Sequence, residues 1–251
     1  MNILRSLGAT ALAASLSLAS TAALAAPSDG RWDWVVAPYL WAPSISTDFR
    51  STDPPSSASS DTAFEDVIDK IDGVFLIHGE GQGDDFGVFA DFIFLGLADS
   101  SERRFLHTES DLDTMLIEVA AVWSPHAERF NGFEAFAGMR LIEVDFDFRL
   151  IPVDPAFATR TVSVDETFND FMLGARYTFP LSERWSATLR GDGSWGDSNG
   201  TWNASAMAHY RTDHGAWYFG WRYLDIDLEP GNRNDLSIGL NGPVVGYGFR
   251  F

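Results

Sequence analysis

From Trp32 to the last residue, apolar and polar side chains alternate at every second position over long stretches. A period of two belongs to strands with one apolar and one polar face. Phe171, Leu173, Ala175, Tyr177 and Phe179 hold one phase, while Asp170, Arg176 and Thr178 hold the other. Trp202, Ala204, Ala206, Ala208 and Tyr210 alternate in the same way with Asn203, Ser205, His209 and Arg211. The pattern predicts ten strands, near Trp32–Pro43, Gly73–Gly83, Phe86–Ala98, Asp111–Ser124, Gly132–Phe148, Thr167–Phe179, Trp185–Asp197, Thr201–Arg211, Ala216–Leu228 and Asp235–Phe251. One split or fused strand would make the number eight or twelve.

Most of these stretches are about twice the roughly 5–6 residues of a typical sandwich strand, and their apolar phase is aromatic-rich. Such lengths suit strands that cross a bilayer at a tilt, with aromatic residues at the two interfaces. Connectors after strands two, four, six and eight are short, and those after one, three and five are long and polar. Short turns on one side and long loops on the other are the layout of an outer-membrane barrel, although the connectors after strands seven and nine are shorter than this layout asks. The predicted fold is all-β: an antiparallel up-and-down transmembrane β-barrel with both termini in the periplasm. Three strands change apolar phase midway, from Met139/Leu141 to Val144, from Trp221/Tyr223 to Leu224, and from Leu240 to Val245. A one-residue slip of this kind predicts β-bulges, with Gly242-Pro243 marking the last.

The first segment has its own pattern. One charge (Arg5) precedes an Ala/Leu-rich run that ends in Ala23-Leu24-Ala25, a small-x-small site. This reads as a cleaved signal peptide over 1–25, leaving 26–251 as one barrel domain. Lys+Arg 17 against Asp+Glu 36 gives the 251-residue chain a net charge of −19, which argues against nucleic acid as a partner. With no cysteine there is neither a disulfide framework nor a thiolate centre. The chain closes on Gly246-Tyr247-Gly248-Phe249-Arg250-Phe251, which resembles the C-terminal signal read by the outer-membrane barrel assembly machinery, with Phe251 as its last residue. The expected location is the outer membrane of a Gram-negative cell, with membrane lipid and lipopolysaccharide as surroundings.

Several segments resemble a family of poorly characterised Gram-negative outer-membrane β-barrel proteins. They are Ala37–Ile45 (APYLWAPSI), Phe64–Asp72 (FEDVIDKID), Phe86–Phe92 (FGVFADF), Trp221–Asp227 (WRYLDID) and Leu240–Gly246 (LNGPVVG). None is a catalytic motif. The resemblance implies fold and location, and it carries no activity to particular residues.

Candidate chemistry lies on the polar phase. Glu80, Asp91, Glu118, Glu134, Arg140, Arg176, Arg190, Asp192 and Arg222 all point to the predicted lumen. Charges of both signs in a narrow, poorly hydrated space should pair, and the planar arginine fork suits carboxylates. The same lining could fill the barrel as a structural network or select a small solute. Thr62-Ala63-Phe64-Glu65 reads as a capping box, and Phe64, Val67, Ile68 and Ile71 fall at helical spacing. A short helix in the first extracellular loop is therefore expected, as a lid or plug.

Aspartate pairs at i, i+2 recur at strand ends: Asp111/Asp113, Asp145/Asp147 and Asp225/Asp227. They are weak rim candidates for a hard cation, with no complete ligand loop; a solvated acidic rim is the plainer reading. No cofactor motif is read. Surface protease chemistry needs an Asp–His couple, yet no Asp-x-His occurs, and His107 beside Glu109 is what remains for acid–base work. An enzyme is not expected. The expected role is a narrow cation-leaning pore or a plugged structural barrel of the envelope. The alternatives are a stability or adhesion protein acting through acidic extracellular loops, and an outer-membrane enzyme. The solute is unspecified.

Overall fold

In the computed structural model, the described residues are 31–52, 55–103, 106–125, 129–154, 158–229 and 234–251. The signal segment and His126 lie outside them. The elements are β1 (Asp33–Trp41), β2 (Ser44–Thr52), β3 (Pro55–Thr62), α1 (Phe64–Ile68), β4 (Ile71–Gln82), β5 (Phe86–Arg103), β6 (Leu106–Trp123), β7 (Gly132–Pro152), β8 (Arg160–Pro180), β9 (Trp185–Gly196), β10 (Gly200–Arg211), β11 (Gly215–Leu228) and β12 (Asn234–Arg250). β1 and β4–β12 pair antiparallel in chain order, and β12 closes on β1. This is a closed ten-stranded barrel. Closure leaves no open edge in the membrane-embedded part, which lipid demands because it cannot hydrogen-bond a free backbone.

The exterior supplies the membrane contact. Trp185–Tyr210 and Trp217–Tyr247 ring pairs, each 5.0 Å between centroids, stand at the short-turn end. Phe171–Trp195 and Trp202–Tyr223 mark the other end, and Leu173, Leu189, Phe219 and Val245 are exposed on the outer face between. An apolar belt bounded by aromatic girdles is the lipid-facing surface of an outer-membrane barrel. The short-turn end, where β1 begins and β12 finishes, is the periplasmic end of such barrels.

Four strands are longer than the pattern predicts: β5 and β6 have 18 residues each, and β7 and β8 have 21. They rise above the outer girdle. The bulges predicted in β7, β11 and β12 are absent. The β6–β7, β7–β8 and β11–β12 ladders run without a register shift through every position where the apolar phase changes. What changes is the environment. In the membrane, outward residues are apolar and inward ones polar; above it, the outward residues are Glu143, Asp145 and Asp147, and the inward Ile142 is buried. A constant strand parity read through two solvents inverts its apolar phase, which mimics a one-residue slip.

The first loop also differs from expectation. β2 and β3 form a hairpin, and β2 pairs with the outer half of β12 in the same register in which β1 pairs with the inner half. β1 and β2 are therefore one strand interrupted at Ala42-Pro43. Gly242 faces that interruption, and a Cβ there would meet Ala42 O at 2.1 Å, so only glycine fits. The predicted break at Gly242-Pro243 falls in the opposite strand, because Pro43 has no N–H to give to the ladder.

The helix is shorter than its pattern. α1 covers five residues, its N-cap is Ala63 without a side-chain cap, and Thr62 is instead the last residue of β3, paired with Ile45. The capping box is thus lost to the hairpin ladder. Ile71 opens β4, Val67 is buried, and Ile68 is 51% exposed, so Phe64, Val67, Ile68 and Ile71 do not form one buried helical stripe. α1 packs on β2 as a connector between β3 and β4.

Candidate functional site

Strand parity places every predicted lumen charge inside the barrel, where two ion-pair layers form. The lower layer joins β4, β7 and β8. Arg176 Nε donates to Glu134 Oε2 at 2.6 Å, while its two Nη atoms hold both oxygens of Glu80. Gln82 bridges the two carboxylates, donating to Glu80 Oε1 at 2.6 Å and to Glu134. The backbone N–H of Phe130, in the turn after β6, donates to Gln82 Oε1 at 2.5 Å. Phe130 has φ 60°, a left-handed conformation unusual for a bulky side chain, and it ties the turn to this layer.

The upper layer is centred on Glu118, which is fully buried. Its carboxylate accepts from Arg140 Nη2 at 2.6 Å, Arg190 Nη2 at 2.7 Å and Arg222 Nη2 at 3.3 Å. Asp192 accepts from Arg140 at 2.5 Å, Arg190 at 2.7 Å and Asn203 at 2.8 Å. Three guanidinium groups thus share two carboxylates. The Arg190 guanidinium also lies 5.1 and 4.9 Å from the Phe89 and Phe136 ring centroids, in cation–π range. Asp91 joins from β5, accepting from Tyr39 Oη at 2.6 Å and lying 3.3 Å from His78 Nδ1; His78 Nε2 lies 3.3 Å from Glu80. His78 thereby links the two layers.

Sequence reasoning named nine of these charges and missed Tyr39, His78, Gln82 and Thr201, whose Oγ1 accepts from Arg140 Nη1. It also left Asn203 and Asp170 out of the network, although it had placed both on the polar phase; Asp170 joins through Ser194, which is hydrogen-bonded to Thr201. All sit on the inward parity of strands already read, so parity was the signal. Pairing across the barrel was not legible, because Arg140 and Asp192 are 52 residues apart.

Apolar layers alternate with the charged ones. Phe89, Ala120, Val122, Phe136 and Met172 pack between the two ion layers. Above the upper layer, the next inward residue is apolar on β4–β8 and β11, whereas on β9 and β10 it is Ser194 and Thr201. Leu76 follows His78 toward the extracellular end, Ile93 follows Asp91, Leu116 follows Glu118, Ile142 follows Arg140, Phe168 follows Asp170 and Leu224 follows Arg222. These join Tyr39, Trp41, Ile226, Leu228 and Val244 in one buried cluster. Below the upper layer, on the side of β8–β12 and β1, a chamber of ≈ 770 Å³ extends to the periplasmic turns. Its floor includes His78, Asp91, Arg190 and Arg222, and its walls include Met207 and Tyr218.

The acidic rim is arranged otherwise. Asp111 faces Asp147 and Asp113 faces Asp145 across β6–β7, and Asp145 faces Asp165 across β7–β8. Desolvation and then the neighbouring carboxylates raise the Asp113 and Asp145 carboxyls above their usual range. Among the described residues no group of three metal-capable side chains converges on a cation position. Neighbours at i, i+2 are about 6–7 Å apart along a strand and point outward in parallel, so they present a charged face rather than a cage. Asp225 and Asp227 stand apart on β11, with Tyr223 Oη donating to Asp225 at 2.8 Å. His107 Nε2 lies 3.2 Å from Glu109 on the β6 extension, among no other acid–base groups of the lumen.

The string Gly196-Asp197-Ser198-Asn199-Gly200 also fits G-x-S-x-G. It forms the β9–β10 turn, not the strand-to-helix elbow that exposes a nucleophile. Ser198 Oγ donates to Asp170 Oδ2 at 2.5 Å and accepts from Gly200 N at 3.1 Å, while Gly200 takes φ 127°. The serine locks a tight turn.

No protein-family model and no curated protein matches the sequence. Among solved structures, the barrel is similar to the outer membrane protease OmpT from Escherichia coli (TM-score 0.46, 10% identity, 88% of this chain and 97% of that one). It is also similar to the translocator domain of the autotransporter NalP from Neisseria meningitidis (0.40, 14%, 97% and 98%) and to Ail, the attachment invasion locus protein of Yersinia pestis (0.37, 8%, 88% and 98%). At these identities no residue role passes from one chain to the other.

Proposed function

We propose that this protein is a sealed outer-membrane barrel, a structural and periplasm-facing binding element of the envelope rather than an open pore. One observation carries the reading: apolar residues stand over Asp91, Glu118, Arg140 and Arg222 of the upper layer and join one buried cluster on its extracellular side, while the buried, hydrogen-bonded Ser194 stands over Asp192. An ion would have to break the buried ion pairs of the upper layer and then pass the largely apolar cluster above it, each at a cost of several kcal/mol. The cation-leaning pore expected from the acidic composition is disfavoured on this ground. The wall side chains provide the plug, a role first assigned to α1. The C-terminal Phe251, whose N–H donates to Trp34 O at 2.9 Å, completes β-closure and suits the role of assembly signal. Export by the 1–25 signal peptide and surroundings of outer-membrane lipid and lipopolysaccharide belong to the same proposal.

Vesicle swelling tests it. Refolded mature chain in liposomes should leave permeability to small sugars and salts at the level of protein-free vesicles. Swelling that scales with the amount of folded barrel would overturn the sealed reading.

A further inference from the structure

The periplasmic chamber is not explained by a structural plug. A barrel that needed only filling would close this volume with side chains as it does on the β5–β7 side, where Phe89, Val122 and Phe136 are buried. A volume of ≈ 770 Å³ lies within the range of small-molecule sites.

Among the charged groups of its buried floor, the unused hydrogen-bonding capacity has one sign; His209 Nε2 on the wall is a further buried atom without a partner among the described residues. The floor carboxylates are already occupied: Glu80 by Arg176, Gln82 and His78, Asp91 by Tyr39 and His78, Glu134 by Arg176 and Gln82. Arginine carries five N–H donors. Arg190 uses Nε on Asp192 and Nη2 on Glu118 and Met172, leaving Nη1 without a partner among the described residues, on a side chain that is 12% exposed and lines the chamber. At the mouth, Arg211 is exposed and makes no side-chain ion pair among the described residues, and Arg184 donates to Tyr210 Oη at 3.4 Å. Glu183 and Asp213 share the rim, equally exposed and equally screened, so the two arginines offset a mouth that would otherwise be acidic. Met207, Tyr218 and Val35 give the walls an apolar side.

We propose that the chamber binds a small carboxylate- or phosphate-bearing solute from the periplasm. Its anionic group meets the free edge of Arg190, its short carbon body lies against Met207 and Tyr218, and Arg184 and Arg211 keep Glu183 and Asp213 from repelling it at the mouth. The inference rests on the sealed reading, since in an open pore the same space would be a vestibule.

The chain has no cysteine, so Ser205→Cys places a single reporter thiol in the chamber wall. The folded, lipid-free barrel in detergent is labelled with a negatively and a positively charged methanethiosulfonate, each rate normalised to free 2-mercaptoethanol. The anionic reagent should react at least tenfold faster. Inorganic phosphate or succinate should slow labelling saturably, and choline should not. Arg184→Ala with Arg211→Ala, both at exposed positions, should cut the anionic preference several-fold, and Arg190→Gln should abolish protection. If Arg190→Gln does not fold, the exposed pair still decides. Equal normalised rates, protection by choline, no labelling, or a linear response to phosphate would each overturn the site. Phosphatidylglycerol vesicles that block labelling where free anions fail would make the occupant a lipid headgroup and overturn the solute assignment. Conducting barrels that keep anion-selective protection would overturn the seal and the dead-end chamber, but not the anion preference, so the two failures are distinguishable.

Discussion

Glu118 is the residue on which the barrel interior should depend most. It is fully buried and accepts hydrogen bonds from Arg140, Arg190 and Arg222, the closest at 2.6 Å. Glu118→Gln keeps the shape but removes the charge that three guanidinium groups share. A single charge-assisted hydrogen bond contributes roughly 1.5–3 kcal/mol, yet the losses do not add, because Asp192 still holds Arg140 and Arg190. The relevant magnitude is that of breaking a buried pair, about 3–5 kcal/mol. That is roughly a 10²- to 10⁴-fold fall in the folding equilibrium constant. Urea unfolding in vesicles, followed by heat-modifiable gel mobility, would read it. Adding Arg140→Met should restore part of the loss, since one charge of each sign is then gone. The control is Lys70→Ala, which breaks the half-exposed Lys70–Asp99 pair at 2.9 Å and should change stability by less than about 1 kcal/mol. A Glu118→Gln loss under about 1 kcal/mol, or no recovery in the double variant, would refute the claim that the network is a charge-balanced core.

Three further outcomes follow from the same geometry. Leu189→Arg, in the middle of the lipid-facing belt, should destabilise the barrel by about 2–4 kcal/mol, whereas Asp147→Arg above the girdle should not; unfolding midpoints in one lipid would compare them. The raised carboxyls of Asp113 and Asp145 mean that the folded extension binds protons more readily than the unfolded chain. Their contribution is fully present below the ordinary aspartate range and is lost as pH rises through the raised values, so hydrogen exchange in the β6–β7 extension should slow on acidification, and Asp145→Asn should flatten that response. Gly242→Val should disrupt the β1–β2 interruption, because its first carbon would meet Ala42 O at 2.1 Å, and should lower the yield of heat-modifiable barrel.

Strand parity made most of the fold legible: each of the ten predicted strands overlaps a barrel strand, and the alternation around Phe171–Phe179 and Trp202–Tyr210 assigns lipid and lumen faces directly. What parity hid was the point where the solvent changes. Val144 after Arg140 looked like a slip because the inward face turns apolar above the membrane, and the extra length of β7 and β8 was lost with it. The β2–β3 hairpin, with sequences SISTDFRST and PSSASSDT, is polar on both faces and leaves no alternation to read. For the interior, residue type and parity gave the membership of the charge network but not its wiring. Glu118 becomes a hub only when β6, β7, β9 and β11 converge, a consequence of barrel closure rather than of any local spacing.

The most direct test of the sealed lumen is planar-bilayer conductance of the refolded mature chain, with folding verified by heat-modifiable mobility before insertion. Verified barrels should show no steady current steps. Reproducible steps of uniform size, cation-selective in a salt gradient, would mean that ions pass the Glu118 layer and the apolar residues above it, and would contradict the account.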